Sequence, residues 1–311
     1  MSAYTTHNQE VDSFDSPKVS VVIVTKNEEE AIEKCLTSVF NQSVKPLDVI
    51  VVDGRSTDDT VEKARKFPVK ILVETGLTSP YNARNLGVQH ANGEIVLIMG
   101  ADTELDRDCL KNAMKYFQDP TVLVVIPSLE IKVHTHLEKI QAKWFYGTRS
   151  PLRGKHATGF STQFIRKNVY TNIKFDPSLG YGDDGDFRKR LQQLYKGSGI
   201  IARAYKSKIF IDLPHSLREL SSQYIWYGRT FLRYFIRYHS LRAILRLGNL
   251  LMPTILLFLC FATLIFPSIT SLLILVLVLS IIKNAIACYR SKSAYFFEFV
   301  FFDFARSLFF A

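Results

Sequence analysis

The sequence is poor in cysteine: Cys35, Cys109, Cys260 and Cys288 are widely spaced and form no CxxC pair. That spacing excludes a zinc knuckle or a disulfide framework and suits a reducing compartment. Glycine is missing where nucleotide folds use it. No GxGxxG follows the first apolar run, whose turn reads Thr25-Lys26-Asn27-Glu28, and no GxxxxGK[ST] occurs. A dinucleotide-dependent dehydrogenase and a P-loop enzyme are thereby set aside. The first 16 residues are polar, without the apolar core of a signal peptide, and a disordered tail is expected there.

Positive charge is plentiful. The 39 Lys and Arg against 29 Asp and Glu give a formal charge of +10, much of the excess lying between Lys206 and Arg246. Because that basic stretch adjoins the most apolar part of the chain, it points to a lipid bilayer and not to nucleic acid. Asn249 to Phe266 holds no charged residue, and a second apolar run, Ile269 to Ile282, follows Pro267. A helix of about 20 residues spans a hydrocarbon core of roughly 30 Å. Arg229, Arg233, Arg237, Arg242 and Arg246 precede the pair, and Lys283, Arg290 and Lys292 follow it. The positive-inside rule then expects a multi-pass protein of the cell membrane, both flanks cytoplasmic and a short hairpin tip outside. Arginines at 229, 233 and 237 make one stripe of a helix lying in the headgroup layer. The expected organisation is a tail (1–16), a cytoplasmic catalytic domain (17–220), a basic interfacial segment (221–247), a transmembrane hairpin (248–288) and an aromatic membrane-associated end (289–311).

Within the polar part, Val19 to Thr25 is a near-continuous β-branched run, as a parallel strand covered on both faces requires. A helical pattern follows through Ile32, Cys35, Leu36, Val39 and Phe40; Leu47 to Val52 reads as a second strand. Ser56 or Thr57 can cap a helix through Val61 and Ala64. Val69 to Val73, Ala83 to His90 and Ile95 to Met99 continue as strand, helix and strand. Such alternation predicts an open, mostly parallel α/β sheet flanked by helices, with ligands outside the carboxyl ends of the strands. Asn27, Asp53 and Asp102 all fall at those ends.

Four segments, "VSVVIVTKNEEEAIEKCLTSVFNQS", "DVIVVDGRSTDDT", "YNARNLGVQHANGEIVLIMGADTELD" and "GYGDDGDFRKRL", occur in order over residues 18 to 195. With them the chain resembles the family 2 glycosyltransferases of the GT-A nucleotide-diphospho-sugar transferase fold, here with C-terminal transmembrane helices. The resemblance implies an inverting, metal-dependent, hexosyltransferase-type enzyme that uses a nucleoside diphosphate sugar donor. Asp53 resembles the acid that accepts from the donor's base, and Thr25, Asn27 and Glu28 match the loop beside nucleobase and ribose. Arg84 would face the diphosphate. Asp102 resembles the last acid of the DxD-type motif, the ligand of Mg²⁺ or Mn²⁺, which asks the protein for one or two oxygens when the donor supplies the rest. Gly100 departs from that pattern, standing where the motif's first acid sits. Glu104 and Asp106 read as surface residues.

Asp183-Asp184 stands in place of the family's Glu-Asp pair, ahead of a helix from Asp186 to Tyr195, and Asp184 by position is the general base. His215 lies where family members place a histidine near the metal. The QxxRW motif of processive synthases is absent, since Gln223 and Arg229 do not have that spacing. The implied acceptor is a membrane lipid or a lipid-linked glycan. A base at Asp184 favours a glycan hydroxyl, whereas Arg229 and Arg233 suit a polyprenyl or dolichyl phosphate. A membrane-anchored sugar-nucleotide-binding protein without catalysis is the remaining alternative, and Gly100 is its one support.

Overall fold

A computed structural model of the chain describes residues 18–148 apart from 77, then 161–179, 183–196, 201–225 apart from 215 and 217, residue 237, and much of 255–291 together with 300. Four strands, β1 (Val19–Thr25), β2 (Asp48–Asp53), β3 (Lys70–Val73) and β4 (Ile95–Gly100), alternate with α1 (Ile32–Phe40), α2 (Thr60–Ala64) and α3 (Pro80–His90). The chain continues through β5 (Thr103–Leu105), α4 (Cys109–Met114), β6 (Val124–Ile131) and α5 (His136–Thr148). Then come β7 (Gln163–Arg166), α6 (Lys167–Asn172), α7 (Asp183–Leu194), β8 (Ile201–Ile211) and, far along the chain, α8 (Thr270–Ser291).

All eight strands join one sheet in the order β3-β2-β1-β4-β7-β6-β8-β5. The first four are mutually parallel, β7 runs antiparallel to β4 and β6, and β8 is parallel to β6. Strand β1 is mostly apolar because both its faces are covered. Val21 and Ile23 join α1 residues Ile32, Cys35, Leu36 and Val39 in one core. Val22 joins Tyr81, Val88, Phe175 and Phe187 in the other. Gly87 lets α3 approach that second face, since a Cβ there would fall 2.2 Å from Val22 Cγ1.

Several boundaries differ from the sequence expectation. Helix α3 starts at Pro80, because Ser79 Oγ accepts from the Tyr81 and Asn82 N–H groups and proline suits the first helical position. Ser56 and Thr57 do not cap α2, which begins at Thr60 after Asp59 with no side-chain cap; the Ser56 hydroxyl donates back to Asp53 and that of Thr57 to Asn27. Helix α7 begins at Asp183 and not at Asp186, placing the acid pair in its first turn. Strand β8 escapes the apolar pattern because Lys206-Ser207-Lys208 interrupts it, where the register against β6 shifts between Pro127 and Ser128.

Helix α8 runs on through Lys283 to Ser291, so Lys283 lies inside the helix and does not flank it. It packs against α5. Ser280 and Asn284 are its buried residues, while Ile274, Leu275, Leu277, Val278, Leu279, Ile281 and Ile282 are exposed. Among the described residues no helix is long and apolar enough to cross a membrane.

Candidate active site

Strands β2, β1 and β4 are adjacent, with Thr25 opposite Asp53 and Val24 opposite Gly100. Their carboxyl ends therefore present Thr25, Asp53 and the turn to Asp102 along one sheet edge, where ligands bind in open α/β sheets.

Two loops at this edge are laced together by side chains. Asn27, in the left-handed region at φ 54°, donates its N–H to Ser56 Oγ at 2.8 Å, and its Oδ1 accepts from the Thr57 N–H at 2.9 Å. Ser56 in turn donates its hydroxyl to Asp53 Oδ1 at 2.5 Å and its N–H to Oδ2 at 3.0 Å. Asp53 is buried at 2% exposure. Each of its carboxylate oxygens still has a second lone pair for a ligand donor. Beside it, the Thr25 hydroxyl oxygen is buried with no hydrogen-bond partner. Glu28 is fixed through its N–H, which donates to Thr60 Oγ1 at 2.8 Å. Burial first, then the negative charges of Asp102 and Asp58, push the Glu28 carboxyl up to about 7.

Asp102 is exposed as a residue, yet its carboxyl is partly desolvated by the protein atoms around it. That desolvation raises its pKa; the Thr103 hydroxyl, its own N–H and the Arg84 charge oppose the rise, and Asp212 adds to it. The carboxyl folds back over Gly100, where an added Cβ would meet Asp102 Oδ1 at 2.4 Å. Arg84 does not lie on the solvent face of α3: it is 8% exposed, its guanidinium over the rings of Tyr81 (5.2 Å) and Phe175 (5.0 Å). Phe175 also stacks on Phe187 of α7 at 4.6 Å, so the arginine and the helix of the acid pair share one aromatic block.

Asp212, just after β8, was not singled out in the sequence. It faces His134, whose Nε2 lies 3.5 Å from Asp212 Oδ1, and it bears on Asp102 electrostatically. The available signal was an acid closing the apolar run "KIFID". Gln163, also missed, is a fully buried glutamine at the start of β7, opposite Ile98 of β4. Glu104 is half-buried and pairs with Lys132 at 2.6 Å, apart from the cluster. The backbone of Asp183 and Asp184 is placed in α7, while their side chains, together with His215, Arg229 and Arg233, lie outside the described residues. Arg237, the third member of the arginine stripe, bonds Asp176 and approaches Asp186 of α7.

Among the described residues no group of three or more His, Cys, Asp or Glu side chains is arranged to hold a metal ion. Asp102 nevertheless fits a divalent cation completed by donor oxygens. It is a hard oxygen ligand at a strand end, and the like charges of Glu28 and Asp212 around it favour a positive counterion.

Residues 20–174 match the family model described as Glycosyl transferase family 2. The chain is 27% identical over 239 residues to the dolichyl N-acetyl-alpha-D-glucosaminyl phosphate 3-beta-D-2,3-diacetamido-2,3-dideoxy-beta-D-glucuronosyltransferase of Methanococcus voltae, covering 68% of this chain and 71% of that protein. It is 39% identical over 185 residues to glycosyltransferase AglE of Haloferax volcanii, covering 56% of this chain and 61% of the relative. In structure it is similar to mannosyltransferase PcManGT from Pyrobaculum calidifontis, solved with GDP-Man and Mn²⁺, at a TM-score of 0.53 and 23% identity over 71% of this chain and 65% of that one. This last likeness concerns the fold alone.

Proposed function

Since residues 20–174 are a glycosyl transferase family 2 domain, we propose that the protein moves a sugar, with inversion, from a nucleoside diphosphate sugar to a hydroxyl of a lipid-linked glycan. The observation that carries this reading is the meeting of Asp53, Asn27, Glu28 and Asp102 at the carboxyl edge of β2, β1 and β4, with the Arg84 charge acting on Asp102. The Methanococcus voltae relative acts, by its name, on a dolichyl-linked N-acetylglucosaminyl phosphate. That relationship favours a lipid-linked saccharide over a bare lipid phosphate as acceptor.

In this reading Asp53, Thr25 and Asn27 hold the nucleoside, and Glu28 faces its ribose. Arg84 orients the diphosphate by charge and a planar fork of donors, and the flanking rings restrict its movement. Asp102 holds Mg²⁺ or Mn²⁺, with His215 as the further ligand implied by the family pattern. When bound, the ion supplies positive charge at the leaving diphosphate. Asp184, with Asp183 beside it, takes the proton from the acceptor hydroxyl as its oxygen bonds to the anomeric carbon and the nucleoside diphosphate departs. A lipid phosphate acceptor is already ionised and would leave this pair without a proton to take.

Membrane attachment is part of the same proposal. Helix α8 turns Ser280 and Asn284 inward and most of its described isoleucines, leucines and valines outward, the reverse of a helix bathed in water. This supports an apolar surround for it and a cytoplasmic catalytic domain held at the bilayer. Membranes containing the full chain are expected to consume a nucleoside diphosphate sugar, and excess EDTA to stop them. Undiminished turnover in EDTA would sink the metal role, and full transfer by Asp184→Asn to a hydroxyl acceptor would sink the base assignment.

A further inference from the structure

Helix α7 is held at its start by an ion network that reaches well beyond its own neighbourhood. Asp186, fully buried one turn into the helix, accepts from Arg190 Nε at 2.7 Å and pairs with its Nη2 at 2.6 Å. Arg190 also donates to the Lys174 carbonyl at 2.8 Å, tying α7 to the loop before it. The same loop carries Asp176, which Ser178 bonds through its N–H (2.9 Å) and its hydroxyl (2.6 Å). Partial burial opposes ionisation of Asp176, yet the bonds from Ser178 and Arg237 hold its carboxyl below the usual range.

Arg237 reaches this network from 61 positions further along the chain. Its Nη1 bonds Asp176, and its Nε stands 3.8 Å from Asp186 Oδ1. A planar guanidinium can face two carboxylates at once, which an ammonium does poorly. Asp183 and Asp184 occupy the turn of α7 directly before Asp186. A helix start on which a proton acceptor depends must be fixed to within a fraction of an ångström, since misplacement by about 1 Å costs on the order of 100-fold in rate.

Building on the proposed glycosyl transfer, we propose that Arg237 is a positioning residue. By bridging Asp176 and Asp186 it ties the loop before α7 to the helix, and so sets the turn bearing Asp183 and Asp184. Transfer is then coupled to the seating of Arg237 on these two carboxylates.

The test uses the full chain in membranes, with Arg237→Ala, Arg237→Lys, Asp176→Asn and the Arg237→Ala/Asp176→Asn double variant. Arg237→Ala is expected to lower kcat about tenfold or more while donor KM stays within about twofold. It should also speed amide hydrogen exchange in the first turn of α7. Arg237→Lys should recover part of kcat, and the double variant should be no worse than the worse single one. Unchanged kcat with unchanged exchange overturns the proposal; so does a parallel fall of kcat, donor affinity and melting temperature, the mark of a merely structural role. Exchange does not depend on the reaction. A wild-type chain that transfers no sugar refutes the functional reading, whereas unchanged exchange in Arg237→Ala refutes the docking itself.

Discussion

Asp102 Oδ1 occupies the place that a side chain on residue 100 would take, for a Cβ built at Gly100 falls 2.4 Å from that oxygen. The glycine is more than a missing acid: it opens room on the sheet face for the carboxylate two positions later. Gly100 and this Asp102 conformer belong together.

Gly100→Ala should accordingly turn the Asp102 carboxyl away while leaving the fold intact, because the displaced atom ends a flexible side chain. The metal concentration for half-maximal transfer is expected to rise about tenfold, the effect of a disturbed ligand orientation. Manganese titration of transfer, beside a thermal melt, reads both quantities. An unchanged titration would show that the Asp102 conformer is immaterial.

Glu28 predicts a pH-dependent stability of definite sign. In metal-free buffer the unfolded chain ionises it near 4.5, while the folded chain holds the proton to about 7. Between those values the folded state binds more protons than the unfolded one, so stability falls as pH rises, and the penalty is complete above the folded value. Glu28→Gln should match the wild type near about pH 4 and exceed it at about pH 8, by on the order of 1–3 kcal/mol. Urea unfolding at the two pH values measures the difference.

The Arg84 guanidinium lies over the adjoining rings of Tyr81 and Phe175, so its planarity matters along with its charge. Arg84→Lys is expected to raise donor KM about tenfold, since an ammonium neither lies flat over rings nor grips a diphosphate at two points. Equal donor affinity in Arg84→Lys, measured by nucleotide titration, would place Arg84 outside the donor site.

Gln163 is fully buried, and neither its amide nitrogen nor its amide oxygen has a hydrogen-bond partner. A buried amide left unpaired costs free energy, so Gln163→Leu should raise stability by about 1 kcal/mol or more. A lower denaturation midpoint in the leucine variant would contradict this.

The sequence disclosed the strand–helix alternation from Val19 to Gly100 because β1, β2 and β4 are buried on both faces and read as nearly unbroken apolar runs. It did not disclose β5, whose three residues are strand only because β8 pairs with them, or β8, broken by Lys206 and Lys208. Site residues at strand ends were legible for a similar reason: Asp53 and Asp102 follow runs that announce themselves. Asp212 was not, because its strand was not. Arg84 was legible as a candidate only through its motif; that it is buried against two rings depends on Phe175, a contact across distant parts of the chain. The start of α7 was misjudged by three residues, since acids read as a turn when they are also good company for a helix N-terminus.

The most direct measurement is mass spectrometry of total membrane lipid after incubating membranes that contain the full chain with a panel of nucleoside diphosphate sugars and Mn²⁺. The expected product is a lipid-linked saccharide heavier by one sugar residue, made from one donor of the panel and not made by Asp102→Asn. A mass gain on bare polyprenyl phosphate, or no sugar gained by any lipid, would contradict transfer to a lipid-linked glycan.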